Sequence, residues 1–243
     1  MSAGEAPSNG RNGGVSGWHV PWVKVLLLVL AWACLTGILI GVGEWVTHTS
    51  PVNAFDRHVT SIVVAHRIPA LDSAMKVVTW LGSWVALVAT AILLVVLVLL
   101  RRLALATLFV AAVAWAGESG GVALAKQIVQ RSRPPAEIRL VSAHGWSWPS
   151  GHTAVAIVIF TTLALVVTGT VSGAAPRAFV WVLAALAVGA VAFSRIELGV
   201  HWTTDVIAST LFVVVWLIVL WNVSKSEIHP ARLGTQETGG GVE

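Results

Sequence analysis

The chain has 243 residues, 56% of them hydrophobic and only 11% charged, where an average soluble domain carries about 25% charged residues. With a mean hydropathy of +0.84, this composition excludes a disordered chain and argues for an integral membrane protein rather than a free-standing soluble globule. Fifteen basic residues oppose eleven acidic ones, but they are scattered between apolar runs and form no dense basic face, which argues against a nucleic-acid partner.

Residues 1–17 are rich in Gly, Ser and Asn and read as a disordered tail. The first apolar run, Val25 to Gly43, follows that polar tail and reads as a retained anchor rather than a cleaved signal. A span needs roughly 20 apolar residues, and five further runs come close to that length. They are Val77 to Leu100, Leu103 to Ala125, His152 to about Val171, Ala178 to Ser194, and Val206 to Val223. The runs are continuous rather than alternating, which selects helices over barrel strands. The fold class expected is therefore all-α, a six-helix membrane bundle over residues 18–223, with a polar tail at 224–243.

Between the first two runs, Phe55, Val59, Ile62, Val63 and His66 recur at helical spacing, with Asp56, Arg57 and Thr60 between them. This pattern predicts an amphipathic helix on the membrane surface, ended by Pro69, that either caps the bundle or admits lipid. Six spans place both tails on one side. The Arg101–Arg102 pair in a tight hairpin assigns that side to the cytoplasm, although the Lys/Arg count itself is nearly even. The lone Cys34 excludes an intramolecular disulfide and a cysteine metal cluster, and reads as a small core residue.

Ionisable groups in or beside a span are costly, by about 2.5–3.5 kcal/mol each, so each needs a reason. Here Lys126, Arg133, His152, Arg195, His201 and Asp205 fall at the outer ends of spans three to six. In KQIVQRSRP, Lys126 and Arg133 are expected to share a helix face until Pro134 and Pro135 stop it. In WPSGHT, Ser150 is a candidate N-cap, Gly151 permits close backbone approach, and His152 enters the first turn of a helix whose N-terminus favours anions. In SRIELGVHWTTD, His201 and Asp205 stand at i and i+4, so the carboxylate can fix one imidazole nitrogen and leave the other nucleophilic. Each motif alone has a bland reading: snorkelling cations, an ordinary capped helix, a structural His–Asp pair.

Their combination in this order, each at a span boundary, resembles the type 2 phosphatidic acid phosphatase family, the lipid phosphate phosphatases. The resemblance covers roughly Asp56 to Asn222. It implies a nucleophilic His201, an Asp205 that orients it, and a His152 that protonates the leaving oxygen. It also implies that Lys126, Arg133, Ser150, Gly151 and Arg195 hold the phosphate, with no metal or other cofactor. The substrate class expected is a membrane lipid phosphate: a polyprenyl diphosphate, phosphatidic acid or phosphatidylglycerol phosphate. Transfer of the phosphate to an acceptor would use the same motifs. A six-span transporter is the rival of a different class, although transporters gather charge at the midplane rather than at one face. Glu118 is expected as one of a buried pair or as a hydrogen-bonded group, and Glu197 as a salt-bridge partner; His48, His58, His66 and His144 are expected in outer loops. The sequence leaves the oligomeric state open.

Overall fold

The computed structural model describes residues 21–224, all helix and connection with no strand among them, so both expected tails lie outside the described residues apart from Ser224. Five helices are long and apolar enough to cross a membrane: α1 (Pro21–His48), α5 (Leu105–Val129), α6 (Gly151–Thr168), α7 (Ala174–Glu197) and α8 (Thr203–Ser224). A bent pair makes a sixth candidate span. In it α3 (Pro69–Val78) and a 3₁₀ turn (Thr79–Gly82) meet α4 (Trp84–Leu99) at 47°. The protein is thus a multi-pass membrane protein.

The bend corrects the expected continuous second span. Ser83 leaves the helix in an extended conformation and caps α4, its hydroxyl accepting from Ala86 N–H at 3.3 Å. At 16 residues α4 is about 24 Å long, short of the roughly 30 Å of hydrocarbon, so α4 can span only together with the preceding bent segment. Apolar residues on both sides hide that break from a hydropathy reading.

Three helices, α1, α5 and α8, pack through small residues on α5. Side chains added at Gly117 or Gly121 would collide with Trp216 or Phe212 of α8. Trp32 Nε1 donates to Gly117 O at 2.7 Å and Trp216 Nε1 to Ala114 O at 3.1 Å, so both indoles satisfy their polar atoms inside the apolar layer. Among the spans, α6 buries Thr153, Ala154, Ala156, Ile157, Val158, Ile159 and Ala164 between α5, α7 and α8. Exposed leucines, valines and isoleucines cover the outside of the bundle, as a hydrocarbon solvent requires. Exposed Trp45, Trp80 and Trp84 mark one end of the bundle, and Trp22, Trp181 and Trp221 the other, as two interfacial belts.

The amphipathic segment is α2 (Ser50–Ala65), which stops at Ala65; Pro69 opens α3 at a helix N-terminus instead of ending a longer helix. Only part of its polar face turns inward, and Arg57 and His58 remain exposed. Asp56 and Thr60 are buried, while Phe55 and Ile62 are exposed. Cys34 is exposed on α1, not in the core. His48 and His58 are on helices rather than in loops.

Candidate active site

The site lies at the end of the bundle where α5 finishes and α6 and α8 begin. The expectation that Lys126 and Arg133 share a helix face is corrected: α5 ends at Val129 because Gln130 turns left-handed (φ 48°), before either proline. Arg133 reaches the site from the following loop. Its guanidinium bonds the carbonyls of His144 (3.0 Å), Gly145 (2.9 Å) and Val200 (2.7 Å), tying that loop to the α7–α8 turn. Lys126 donates to Pro149 O at 2.7 Å and Trp146 O at 2.8 Å, which holds the chain just before α6.

The loop itself is anchored by Trp148, which is 1% exposed and donates to Leu39 O of α1 at 3.1 Å. Ser150 occupies the N-cap position of α6, but its hydroxyl turns to Thr153 Oγ1 at 3.0 Å and bonds no backbone N–H of the first turn. Gly151 and His152 open the helix, half-buried. His152 stands within electrostatic reach of Arg195, Arg133 and Lys126. Arg195, near the end of α7, is 5% exposed; it donates to the Thr79 hydroxyl of the 3₁₀ turn, while its Nε–H is buried without a partner. The structure therefore brings together residues from all three motifs.

The hydrogen bonds around His201 define its tautomer. A guanidinium only donates, so Arg133 Nη1 at 3.0 Å requires a lone pair on His201 Nε2. The proton is then on Nδ1, which donates to Asp205 Oδ2 at 3.3 Å. Burial pushes the His201 imidazole down, to about 3, against the pull of Asp205, so the ring is neutral at neutral pH. Asp205 is held by its place in α8. It is the third helical residue and accepts from Trp202 N–H at 2.9 Å, one half of a capping box. Its other oxygen accepts from Arg131 Nη1 at 2.7 Å.

Arg131 and Asp56 are the residues that the motif reading missed. Arg131 is 3% exposed and also bonds Asp56 Oδ2 (2.7 Å), Asn53 Oδ1 (3.1 Å) and Thr204 Oγ1 (2.7 Å). Its position two residues before Arg133 was the available signal. Asp56 gave none, since only the fold carries α2 to α8. Glu118 is buried and accepts from the Ser119 hydroxyl at 2.9 Å, as expected. Glu197 departs from expectation. Its Oε1 is buried without a partner, and Arg67 bonds its backbone carbonyl instead. Among the described residues no group of three or more His, Cys, Asp or Glu is placed to hold a metal. A cavity of about 240 Å³ shares Arg131 with this network, is lined also by Thr47, Asn53, Asp56, Arg57, Ser132 and Trp202, and includes neither His152 nor His201.

An all-helical membrane bundle with a basic pocket and a carboxylate-oriented neutral histidine at one end defines the class of the molecule. Residues 102–228, just over half of the chain, match the family model of the PAP2 superfamily, and the chain belongs to that superfamily. Two solved structures share the fold. One is the PAP2-type phosphatidylglycerolphosphate phosphatase of Bacillus subtilis, at 23% identity and a TM-score of 0.64, covering 86% of this chain and 99% of that one. The other is LpxE of Aquifex aeolicus, at 24% identity and a TM-score of 0.54, covering 68% of this chain and 93% of that one. No curated protein matches the chain.

Proposed function

We propose that the protein is a membrane-embedded phosphatase that removes phosphate from a lipid phosphate or diphosphate through a phosphohistidine. The observation that carries this reading is the arrangement of His201, with Nδ1–H on Asp205 and the lone pair of Nε2 directed into a cluster of cations. Nε2 attacks phosphorus, the N–P bond forms as the bond to the leaving oxygen breaks, and His152 protonates that oxygen. Asp205 stabilises the ring as it becomes positive. Water then attacks phosphorus and passes a proton to His152 as the N–P bond breaks, which restores protonated His152 and neutral His201. Lys126, Arg133 and Arg195, with Ser150 and the Gly151 N–H, hold the phosphate oxygens. The buried, unpartnered Nε–H of Arg195 supplies a donor for this purpose.

Charge supports the assignment. Lys126, Arg131, Arg133 and Arg195 face the carboxylates Asp56 and Asp205, an excess of two positive charges. A phosphomonoester brings about −1.5 to −2. Phosphoryl transfer needs chiefly positioning and charge stabilisation, and fixed cations supply both without a metal. In this reading the site faces outward and both tails are cytoplasmic.

Purified protein in detergent, given phosphatidic acid, phosphatidylglycerol phosphate and a polyprenyl diphosphate, should release phosphate from at least one of them. Turnover should persist in EDTA and disappear in His201→Ala. Acid-labile, base-stable phosphate should be trapped on His201. Near-normal turnover in His201→Ala, or loss in EDTA with recovery on adding magnesium, would overturn the mechanism.

A further inference from the structure

Arg131 makes no bond to any of the residues assigned to the phosphate, yet it is among the most completely satisfied charged groups of the site. Its Nη1 serves Asp205 Oδ1 and Thr204 Oγ1, both at 2.7 Å, and its Nη2 serves Asp56 Oδ2 at 2.7 Å and Asn53 Oδ1 at 3.1 Å. The guanidinium is flanked by the rings of Trp148 and Trp202, with Cζ 6.0 and 5.8 Å from their centroids. Asp56 in turn accepts from Thr204 N–H at 3.0 Å and Thr204 Oγ1 at 2.6 Å, so it also caps the start of α8 from another helix. Arg131 lies within the first motif but at none of the positions assigned a role there, and Asp56 lies outside all three motifs.

We infer that Arg131 is a positioning residue that sets the basicity of His201 through Asp205, and that Asp56 balances it. The inference rests on the reading of His201 as the nucleophile. Asp205 has two oxygens with different duties: Oδ2 faces the imidazole and Oδ1 faces the guanidinium. The Arg131 charge draws on Asp205 and so weakens its pull on a proton at His201. The ring consequently stays neutral and ready to attack. Asp56 takes the other half of the guanidinium, which leaves Asp205 enough negative charge to stabilise the ring when the N–P bond makes it cationic. The other charged groups facing His201 are Arg133 from the loop and Lys126 of α5, and both disfavour its protonated form. Arg195 of α7 and His152 of α6 complete the pocket.

The two partners therefore have distinguishable effects. Without Arg131, Asp205 holds the His201 proton more tightly and the imidazole protonates at higher pH. Without Asp56, Arg131 bears on Asp205 alone; the ring remains neutral but its cationic form is less stabilised during attack. A role in folding alone would lower kcat by the same factor at every pH, so the pH-dependent loss expected without Arg131 is the discriminating pattern.

The experiment is kcat and KM from pH 8 to pH 5 for wild type, Arg131→Met, Arg131→Lys, Asp56→Asn and Arg133→Met, on the best lipid phosphate substrate. Arg131→Met should lower kcat about 10–100-fold at pH 8 with KM unchanged. Its loss relative to wild type should deepen as pH falls, by up to about tenfold per unit. Arg131→Lys keeps the charge but not the fork, so its kcat falls while its ratio to wild type stays flat with pH. Asp56→Asn should lower kcat with a flat ratio. Arg133→Met should raise KM. Equal losses at every pH for Arg131→Met and Arg131→Lys would overturn the inference, as would a raised KM in Arg131→Met. If Arg131→Met does not survive purification, Arg131→Gln, which removes the charge with a smaller change of shape, should show the same deepening loss as pH falls, and a flat ratio to wild type in that variant overturns the inference. Turnover in His201→Ala would instead remove the underlying reading, whatever the Arg131 variants do.

Discussion

His201 and His152 are both imidazoles at one end of the bundle, but their surroundings give them different work. His201 is 2% exposed, bonded at both ring nitrogens, and neutral because burial holds its pKa down at about 3. The unfolded chain takes up a proton at this residue near pH 6.5 and the folded chain does not. Stability contributed in this way is therefore complete above pH 6.5 and is lost as pH falls from there toward 3, by up to about 1.4 kcal/mol per unit. Thermal unfolding in detergent should show Tm falling less steeply between pH 7 and pH 5 in His201→Gln than in wild type. An identical slope would show that the buried imidazole does not control this limb. His152 carries a different expectation. Expelling an alkoxide from a monoester needs a proton, and general acid catalysis is typically worth about 10²–10⁴-fold. Expelling a lipid phosphate from a diphosphate needs far less help. His152→Ala should reduce kcat/KM for phosphatidic acid much more than for a polyprenyl diphosphate. Equal losses would make His152 a phosphate ligand instead.

At the scale of elements, the break in the second span shapes the pocket. The 3₁₀ turn places the Thr79 hydroxyl on Arg195 and brings Gly82 against the backbone of His152. A Cβ at Gly82 would collide with the His152 carbonyl, which cannot yield without moving the first turn of α6. Gly82→Ala should leave the protein folded and monodisperse but lower kcat by up to about 10²-fold, the cost of misplacing a reacting group by about 1 Å. Unchanged kcat would show that the turn does not control the position of His152. The contact between α5 and α8 behaves differently. Gly117→Leu would drive a side chain into Trp216, far from the pocket, and should lower stability by about 1–3 kcal/mol while kcat of the surviving protein stays near wild type.

At the scale of the whole molecule, the predictions concern orientation. His144 is exposed in the loop beside the site, and Arg102 is exposed in the hairpin between α4 and α5. In a Cys34→Ser background, a cysteine at position 144 should react with an impermeant maleimide in intact cells, and one at position 102 only after lysis. The opposite pattern would turn the site toward the cytoplasm.

Much of this architecture follows from local sequence. Long apolar runs must satisfy their backbone internally in lipid, so α1, α5, α6, α7 and α8 were all legible to within a few residues at most ends. The motif residues were legible because charge at a span end is costly and so conspicuous. The spacing of His201 and Asp205 predicted their pairing, but His201 stands two residues before α8, and it is the capping geometry at the start of α8, not a shared helical turn, that brings Asp205 to it. What the tertiary structure decided lies where the partners are remote in sequence or the signal is not hydropathy. The break at Gly82 and Ser83 is set by capping and by packing against α6 within an unbroken apolar run. The inward turn of Asp56 is decided by α8 and Arg131, because a buried carboxylate must find hydrogen-bond partners within the protein. The pairing of Arg131 with Asp56 joins residues 75 positions apart, a distance no local periodicity spans.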